Sequence, residues 1–247
     1  QPEMLLRRDG EWFFAFARDA FGTLELELAS PAAQKIELRL GEVLGAEGRL
    51  FVPRPKSPEC SRRFRRFKLE LRPGRHRYRL EIPRPYSGDD YQTEGYNCTA
   101  PRCIPCPPHI GEVMPFRYGE IREGGTGIEV IAVTRLTAHY PFDDHAASFH
   151  CADERLNTVW ELCRHTIKSV TYLGFYIDGD RERLPYEGDA LVQQLSHFCL
   201  DGNYDLSRAA VAWFCETGTS WCYEWVLSIP VLAWRHCLYS GESALPE

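Results

Sequence analysis

Between Ile177 and Ala190 the chain reads IDGDRERLPYEGDA, which sets Asp178, Asp180, Glu182, Glu187 and Asp189 among Arg181 and Arg183. Carboxyls grouped this way suit acid–base work on a glycosidic bond. One protonates the leaving oxygen, a second activates water or attacks carbon, and neighbours hold sugar hydroxyls. Glu182, flanked by two arginines, is the candidate proton donor. Asp189 falls where a helix is expected to begin, so the positive end of that helix would favour its anion. Different surroundings could thus keep one carboxyl protonated and another ionised. The same spacing also fits a plainer loop, in which Arg181 and Arg183 pair with Asp178, Asp180 or Glu187 and Asp189 caps a helix.

Two kinds of element must position this loop. Upstream the pattern alternates with a period of two. In FKLELRPGRHRYRLEI, Phe67, Leu69 and Leu71 oppose Lys68, Glu70 and Arg72, and Tyr78, Leu80 and Ile82 oppose Arg77, Arg79 and Glu81. Pro73-Gly74 between them predicts a hairpin. EWFFAFA, TLELELA, KIELRLGEVL, PFRYGEI and GIEVIAVTRLTAHY read as further strands, so residues 1–140 are expected to form an antiparallel β-sandwich. From residue 148 onward the period becomes helical. A first helix from Asp153 to about Leu173 would turn Leu156, Trp160, Cys163, Ile167 and Val170 inward. A second, from about Glu187, would bury Leu191, Val192, Leu195, Phe198 and Cys199. A third carries Leu206, Ala209, Ala210, Trp213 and Phe214, and a fourth runs from about Ser220 to Tyr239 with Pro230 kinking or dividing it. Residues 148–247 are expected to form an all-α array.

With 247 residues, 44% hydrophobic and 13% aromatic, the chain can bury real cores. A net charge of −6 gives no general attraction to nucleic acid or anionic lipid, and the cluster Arg62, Arg63, Arg65, Arg66 and Lys68 reads as a polar sheet face. No apolar run is long enough to cross a membrane. The ten cysteines are expected to be free, buried thiols, which leans toward a cytoplasmic setting. Cys98, Cys103, Cys106 and His109 in a Pro-rich stretch could alternatively bind zinc, form a disulfide, or sit reduced in a rigid connector. No metal or other cofactor is assigned.

The loop resembles a known signature. Glycoside hydrolase family 78, the bacterial α-L-rhamnosidases, carries D-C-P-x-R-E-R-x-G-W-T-G-D, and Arg181, Glu182, Arg183, Gly188 and Asp189 match it at the right relative spacing. Gly179-Asp180 stands where the signature has Cys-Pro and one residue more; Pro185-Tyr186-Glu187 replaces Gly-Trp-Thr. PFRYGEI is similar to the strand that closes the family's sandwich. FHCADERLNTVWELCRHT resembles the entry into its first barrel helix, and TSWCYEWVLSIPVLAWRHCLYSGE a later hairpin. The resemblance implies a β-sandwich followed by the first helices of an (α/α)6 barrel, hydrolysing terminal α-L-rhamnosides with inversion. It implies Glu182 as general acid and Asp178 and Asp189 as hydroxyl ligands. Arg181 would hold the loop, Tyr186 would act as an aromatic wall, and Glu224 and Trp225 would add hydroxyl and methyl contacts, with Trp221 an alternative for the aromatic role. Four helices against the twelve of such a barrel, and no initiating Met, predict an incomplete barrel of little activity, its general base lying beyond Glu247. The implied partner is a carbohydrate. A non-catalytic carbohydrate-binding protein is the alternative, supported by the many Trp and Tyr residues.

Overall fold

The computed structural model describes residues 1–54, 62–83, 104–123, 127–179, 183–217 and 222–242. Two compact units emerge, one of residues 1–99 with 106–138 and one of residues 100–105 with 139–247. Among the described residues the first is an antiparallel sheet of seven strands and the second carries four α-helices.

The sheet unit is organised by one long strand. Its strands are β1 (Met4–Arg8), β2 (Glu11–Ser30), β3 (Gln34–Gly41), β4 (Phe64–Leu71), β5 (Gly74–Arg79), β6 (Met114–Glu123) and β7 (Glu129–Thr137). EWFFAFA and TLELELA, which read as separate strands, are the two halves of β2. Its first half pairs with β1 and β6, and its second half with β5 and β7. The register against β6 shifts between Ala15 and Ala20, an irregularity of the kind that bends a strand. β3 then bridges β6 and β4. The alternation read from sequence holds: Phe14, Phe16, Leu24, Leu26, Leu28, Leu38, Phe116 and Ile121 form one core. Within it Phe16 meets Phe14 and Phe116 edge-on, at ring separations of 5.9 Å.

The hairpin expected at Pro73-Gly74 is absent. β4 pairs with β3 and β5 with β2, so the turn carries the chain from the edge of β3 to the edge of β2. The local turn chemistry was legible, but the competing edge of β2 took the second arm. Tyr78 then accepts a hydrogen bond from the Arg72 backbone N–H at 2.9 Å, which steadies the crossing.

At the β2 corner, Glu42 lies beside Asp19 and accepts from the Arg63 backbone N–H at 2.5 Å. Burial, then the Asp19 charge, pushes the Glu42 carboxyl up to about 8. Close by, Arg135 donates to the Arg18 and Phe116 carbonyls and covers the Phe16 ring.

In the helical unit the elements are α1 (Glu154–Val170), α2 (Glu187–Phe198), α3 (Asp205–Thr217), a 3-10 helix (Tyr223–Leu227) and α4 (Ser228–Ser240). Their starts follow local chemistry. The Asp153 carboxylate accepts from the Arg155 N–H at the α1 N-cap, and Asn203 accepts from Asp205 at 2.9 Å ahead of α3. Gly241 closes α4 at φ 75°, donating to the Cys237 carbonyl. The fourth expected helix is divided before Ser228, ahead of Pro230, which sits in the first turn of α4 where no helical N–H is needed. No helix among the described residues is long and apolar enough to cross a membrane.

The expected helix faces need correction. On α1 only Ile167 is buried, while Leu156, Val159 and Leu162 are exposed. On α2 the buried positions are Glu187, Ala190, Gln194 and His197, whereas Val192 is 68% exposed. That face is turned inward because its polar groups have partners there. Gln194 donates to Ser207 and to the Leu232 carbonyl, both at 2.8 Å, and His197 Nδ1 lies 2.7 Å from the Tyr176 hydroxyl. α3 comes closer to expectation, with Leu206, Ala210 and Phe214 buried. The cysteines also differ: Cys106, Cys151, Cys163, Cys199, Cys215, Cys222 and Cys237 are free, as expected, but each is exposed or half-buried. Cys163 and Cys199 lie on the helix faces that do not turn inward.

Two predictions follow from these contacts. Gly119 on β6 supports the Phe14 ring, and a Cβ there would stand 2.0 Å from a ring carbon. Gly119→Ala is therefore expected to destabilise the sheet unit by about 3 kcal/mol in urea unfolding. Because the Glu42 carboxyl is raised on folding, its contribution to stability is present below the unfolded value near 4.5 and falls as pH rises toward about 8. Glu42→Gln should flatten this loss, so the variant's melting temperature gains on the native chain between pH 5 and pH 9.

Candidate functional site

The loop IDGDRERLPYEGDA leaves the helical core at Tyr176 and Ile177, both fully buried, and returns to it at α2. Its stem is closed by two hydrogen bonds. Asp178 N–H donates to the Leu184 carbonyl and Leu184 N–H donates to Asp178 Oδ1, each at 3.2 Å. Gln193 on α2 anchors the incoming side of the stem by donating to the Ile177 carbonyl at 2.9 Å. Inside the stem Gly179 takes φ 109°, a conformation that strongly favours glycine. Arg183 takes φ 54°, unusual for a side-chain-bearing residue, and is 3% exposed; its carbonyl accepts from the Ile104 N–H at 3.2 Å. This buried, left-handed arginine has a defined place in the loop stem.

Beyond the stem an aromatic wall forms. Tyr186, buried at the N-cap position of α2, meets the Trp225 ring edge-on with centroids 6.2 Å apart. A Cβ on Gly188 would approach that indole to 2.8 Å, so glycine is required for the ring to lie against the helix start. Trp225 comes from the 3-10 helix, 37 positions later in the chain than Gly188. Acidic groups gather beside the wall. Glu187 is fully buried, Asp189 is half-buried in the first turn of α2, and Glu224 is exposed on the 3-10 helix. The Cys222 thiol is raised by burial and then by the charges of Glu224 and Glu187.

Of the residues singled out from sequence, the structure brings Tyr186 and Trp225 into contact. It places Asp178 on the loop stem, Asp189 at the start of α2 and Glu224 in the first turn of the 3-10 helix. Asp180, Arg181, Glu182 and Trp221 lie outside the described residues, as do Cys98 and Cys103 of the cysteine-rich stretch. Sequence reasoning did not single out the fit of Gly188 against Trp225 or the anchor Gln193. Its signal for the first was the G-D pair at the start of α2; Gln193 left none. Among the described residues no cluster of three or more His, Cys, Asp or Glu side chains suits a metal ion.

Behind the loop stands the polar spine of the helical core. Burial lowers the pKa of His197 to about 4, with the Asp201 charge and the Asn203 backbone acting the other way, so the imidazole is neutral at pH 7. The Tyr176 hydroxyl beside it is raised well above its ordinary value, chiefly by burial. Neither group is poised to exchange protons near neutrality. They fix the segment that feeds the loop rather than perform chemistry.

Replacing Gly188 by Ala is expected to push the indole off the α2 start. The checking measurement is the tryptophan emission of Gly188→Ala, which should shift in the native background and stay unmoved in a Trp225→Phe background.

Residues 144–230 match the family model of the bacterial alpha-L-rhamnosidase six-hairpin glycosidase domain. No curated protein shows significant sequence similarity to the chain. Solved structures do share its fold. The GH78 family rhamnosidase of Bacillus sp. GL1 aligns at a TM-score of 0.67 and 16% identity, over 96% of this chain and 23% of that one. A rhamnosidase from Klebsiella oxytoca with rhamnose bound aligns at 0.62 and 13% identity, over 97% and 46%. The alpha-L-rhamnosidase of Dictyoglumus thermophilum aligns at 0.61 and 16% identity, over 95% and 25%. This chain thus spans less than half the length of each of these structures. Its seven-stranded antiparallel sheet and four helices correspond to the N-terminal sandwich and the start of the helical domain of the rhamnosidases, and residues 144–230 carry the signature of their six-hairpin glycosidase domain.

Proposed function

We propose that this chain carries the acid side of a glycosidase site that cleaves terminal α-L-rhamnosides with inversion. The observation that carries the reading is the match of residues 144–230 to a glycosidase domain, since that segment contains the whole carboxylate loop together with Tyr186, Gly188 and Trp225. Glu182 gives its proton to the glycosidic oxygen as the bond to the anomeric carbon breaks. Asp178 and Asp189 accept hydrogen bonds from sugar hydroxyls, with the α2 N-terminus stabilising the Asp189 anion. Arg181 holds the loop. Tyr186 and Trp225 form the apolar wall against the sugar ring and its methyl group, and Glu224 adds a further acceptor. Inversion needs a second carboxylate across the bond, about 6.5–9.5 Å from the first, to activate water. In this reading that base belongs to a later hairpin of the six-hairpin domain.

The test is Glu182→Gln in a protein bearing the full domain, assayed by release of p-nitrophenol from its α-L-rhamnoside. Loss of a general acid is expected to lower kcat by about 10²–10⁴-fold while the melting temperature holds. Unchanged turnover would remove Glu182 from the mechanism.

A further inference from the structure

We infer that Gln193 on α2 is a positioning residue for Asp178, holding that carboxylate in fixed register with Asp189 so that the two grip one sugar. The inference rests on the proposed rhamnoside site; the hydrogen bonds that support it do not. Its basis is a single peptide group held at both ends. The Ile177 carbonyl accepts from Gln193 Nε2 at 2.9 Å, and the N–H of the same peptide, that of Asp178, donates to the Leu184 carbonyl at 3.2 Å. A planar peptide fixed at its oxygen and at its hydrogen resists rotation about the chain, which sets the direction in which the Asp178 side chain departs.

The lengths rank the restraints. Asp178 shares two bonds with Leu184, each at 3.2 Å and so at the long limit of an ordinary N–H···O bond, whereas the Gln193 contact has the commonest length. Directly after Asp178, Gly179 at φ 109° adds little steric hold of its own. Before it, Ile177 is fully buried, so its carbonyl cannot trade the Gln193 amide for bulk water. Leucine at 193 would fill the space without donating, and an ionised glutamate would turn a charge toward the carbonyl.

α2 supplies the frame. Gln194 binds Ser207 and the Leu232 carbonyl, both at 2.8 Å, and so fixes the helix against α3 and α4. Its neighbour Gln193 carries that frame to the loop. Asp189 stands one turn before Gln193 on the same side of α2, and long helical side chains lean toward the N-terminus, over the preceding turn. Asp178 and Asp189 are both half-buried, open enough to meet a ligand. Two carboxylates held at a set spacing suit neighbouring hydroxyls of one sugar ring, because the cost of ordering them is not charged to binding.

The experiment is calorimetric titration of the 247-residue chain with L-rhamnose, in a double-mutant cycle of Gln193→Leu and Asp178→Ala. Gln193→Leu alone is expected to weaken binding about three- to tenfold, the worth of one hydrogen bond, with an unchanged melting temperature. In the Asp178→Ala background the same change is expected to have no further effect, whereas a merely structural role for Gln193 gives equal losses in both backgrounds. If Gln193→Leu does not fold, Gln193→Glu replaces it. A glutamate there donates only when protonated, so its deficit against the native chain at the same pH should be full at about pH 7 and shrink toward about pH 5. Equal losses in the two backgrounds, no loss from Gln193→Leu, or a Gln193→Glu deficit that ignores pH would each overturn the inference alone. No binding of L-rhamnose by the native chain, or undiminished binding by Asp178→Ala, would instead sink the reading of the rhamnoside site and the inference with it.

Discussion

The bend of β2 is the constraint on which the sheet unit depends. One strand of 20 residues hydrogen-bonds to β1, β5, β6 and β7, and its register against β6 shifts between Ala15 and Ala20. Once it bends, its two halves present Phe14 and Phe16 on one side and Leu24, Leu26 and Leu28 on the other to a single core. β1, β5, β6 and β7 pair with β2 directly, β3 adds to the edge of β6, and β4 adds to the edge of β3. The corner itself is held by polar groups: Glu42 and Asp19 lie side by side, and Arg135 reaches the Arg18 and Phe116 carbonyls. Two adjacent carboxyls at such a point are tolerated because one keeps its proton.

In the helical unit the equivalent constraint is a polar spine. Glu187, Gln194 and His197 are fully buried on one face of α2, and Ser207, Tyr176 and the Leu232 carbonyl meet that face. Partnered buried groups fix a helix's rotation more tightly than apolar contacts, because a small turn of α2 would strip several of them at once. That rotation sets the start of α2, and with it Tyr186, Gly188 and Asp189. The aromatic wall and the carboxylate loop are thus positioned by hydrogen bonds several turns away from them.

Much of this was legible in the sequence. Period-two alternation located β2 to β7 but not β1, and the change to helical spacing located α1 to α3 within a few residues. The arginines, glycine and acids of RERLPYEGD mark the loop. The partners were not legible. Pro73-Gly74 predicted a turn and a turn is present, but whether the second arm folds back or crosses over depends on which edge competes for it. The α2 face was misjudged for a related reason. Val192 and Leu195 are the more hydrophobic residues, yet Gln194 and His197 turn inward because Ser207, Leu232 and Tyr176 stand ready to satisfy them.

The sequence by itself determined what depends on neighbours along the chain: strand alternation, helix caps at Asp153 and Gly241, the glycine demanded by φ 109° at Gly179, and the identities of the loop carboxylates. Only the tertiary structure decided what depends on residues far apart. It set the layer that each strand joins, the face that α2 buries, and the indole of Trp225 lying against Gly188 across 37 positions of chain. Local conformation follows from sterics and hydrogen bonds within a few residues. Pairing and burial are settled by competition among all the surfaces that the fold brings together, and no stretch of sequence carries that competition alone.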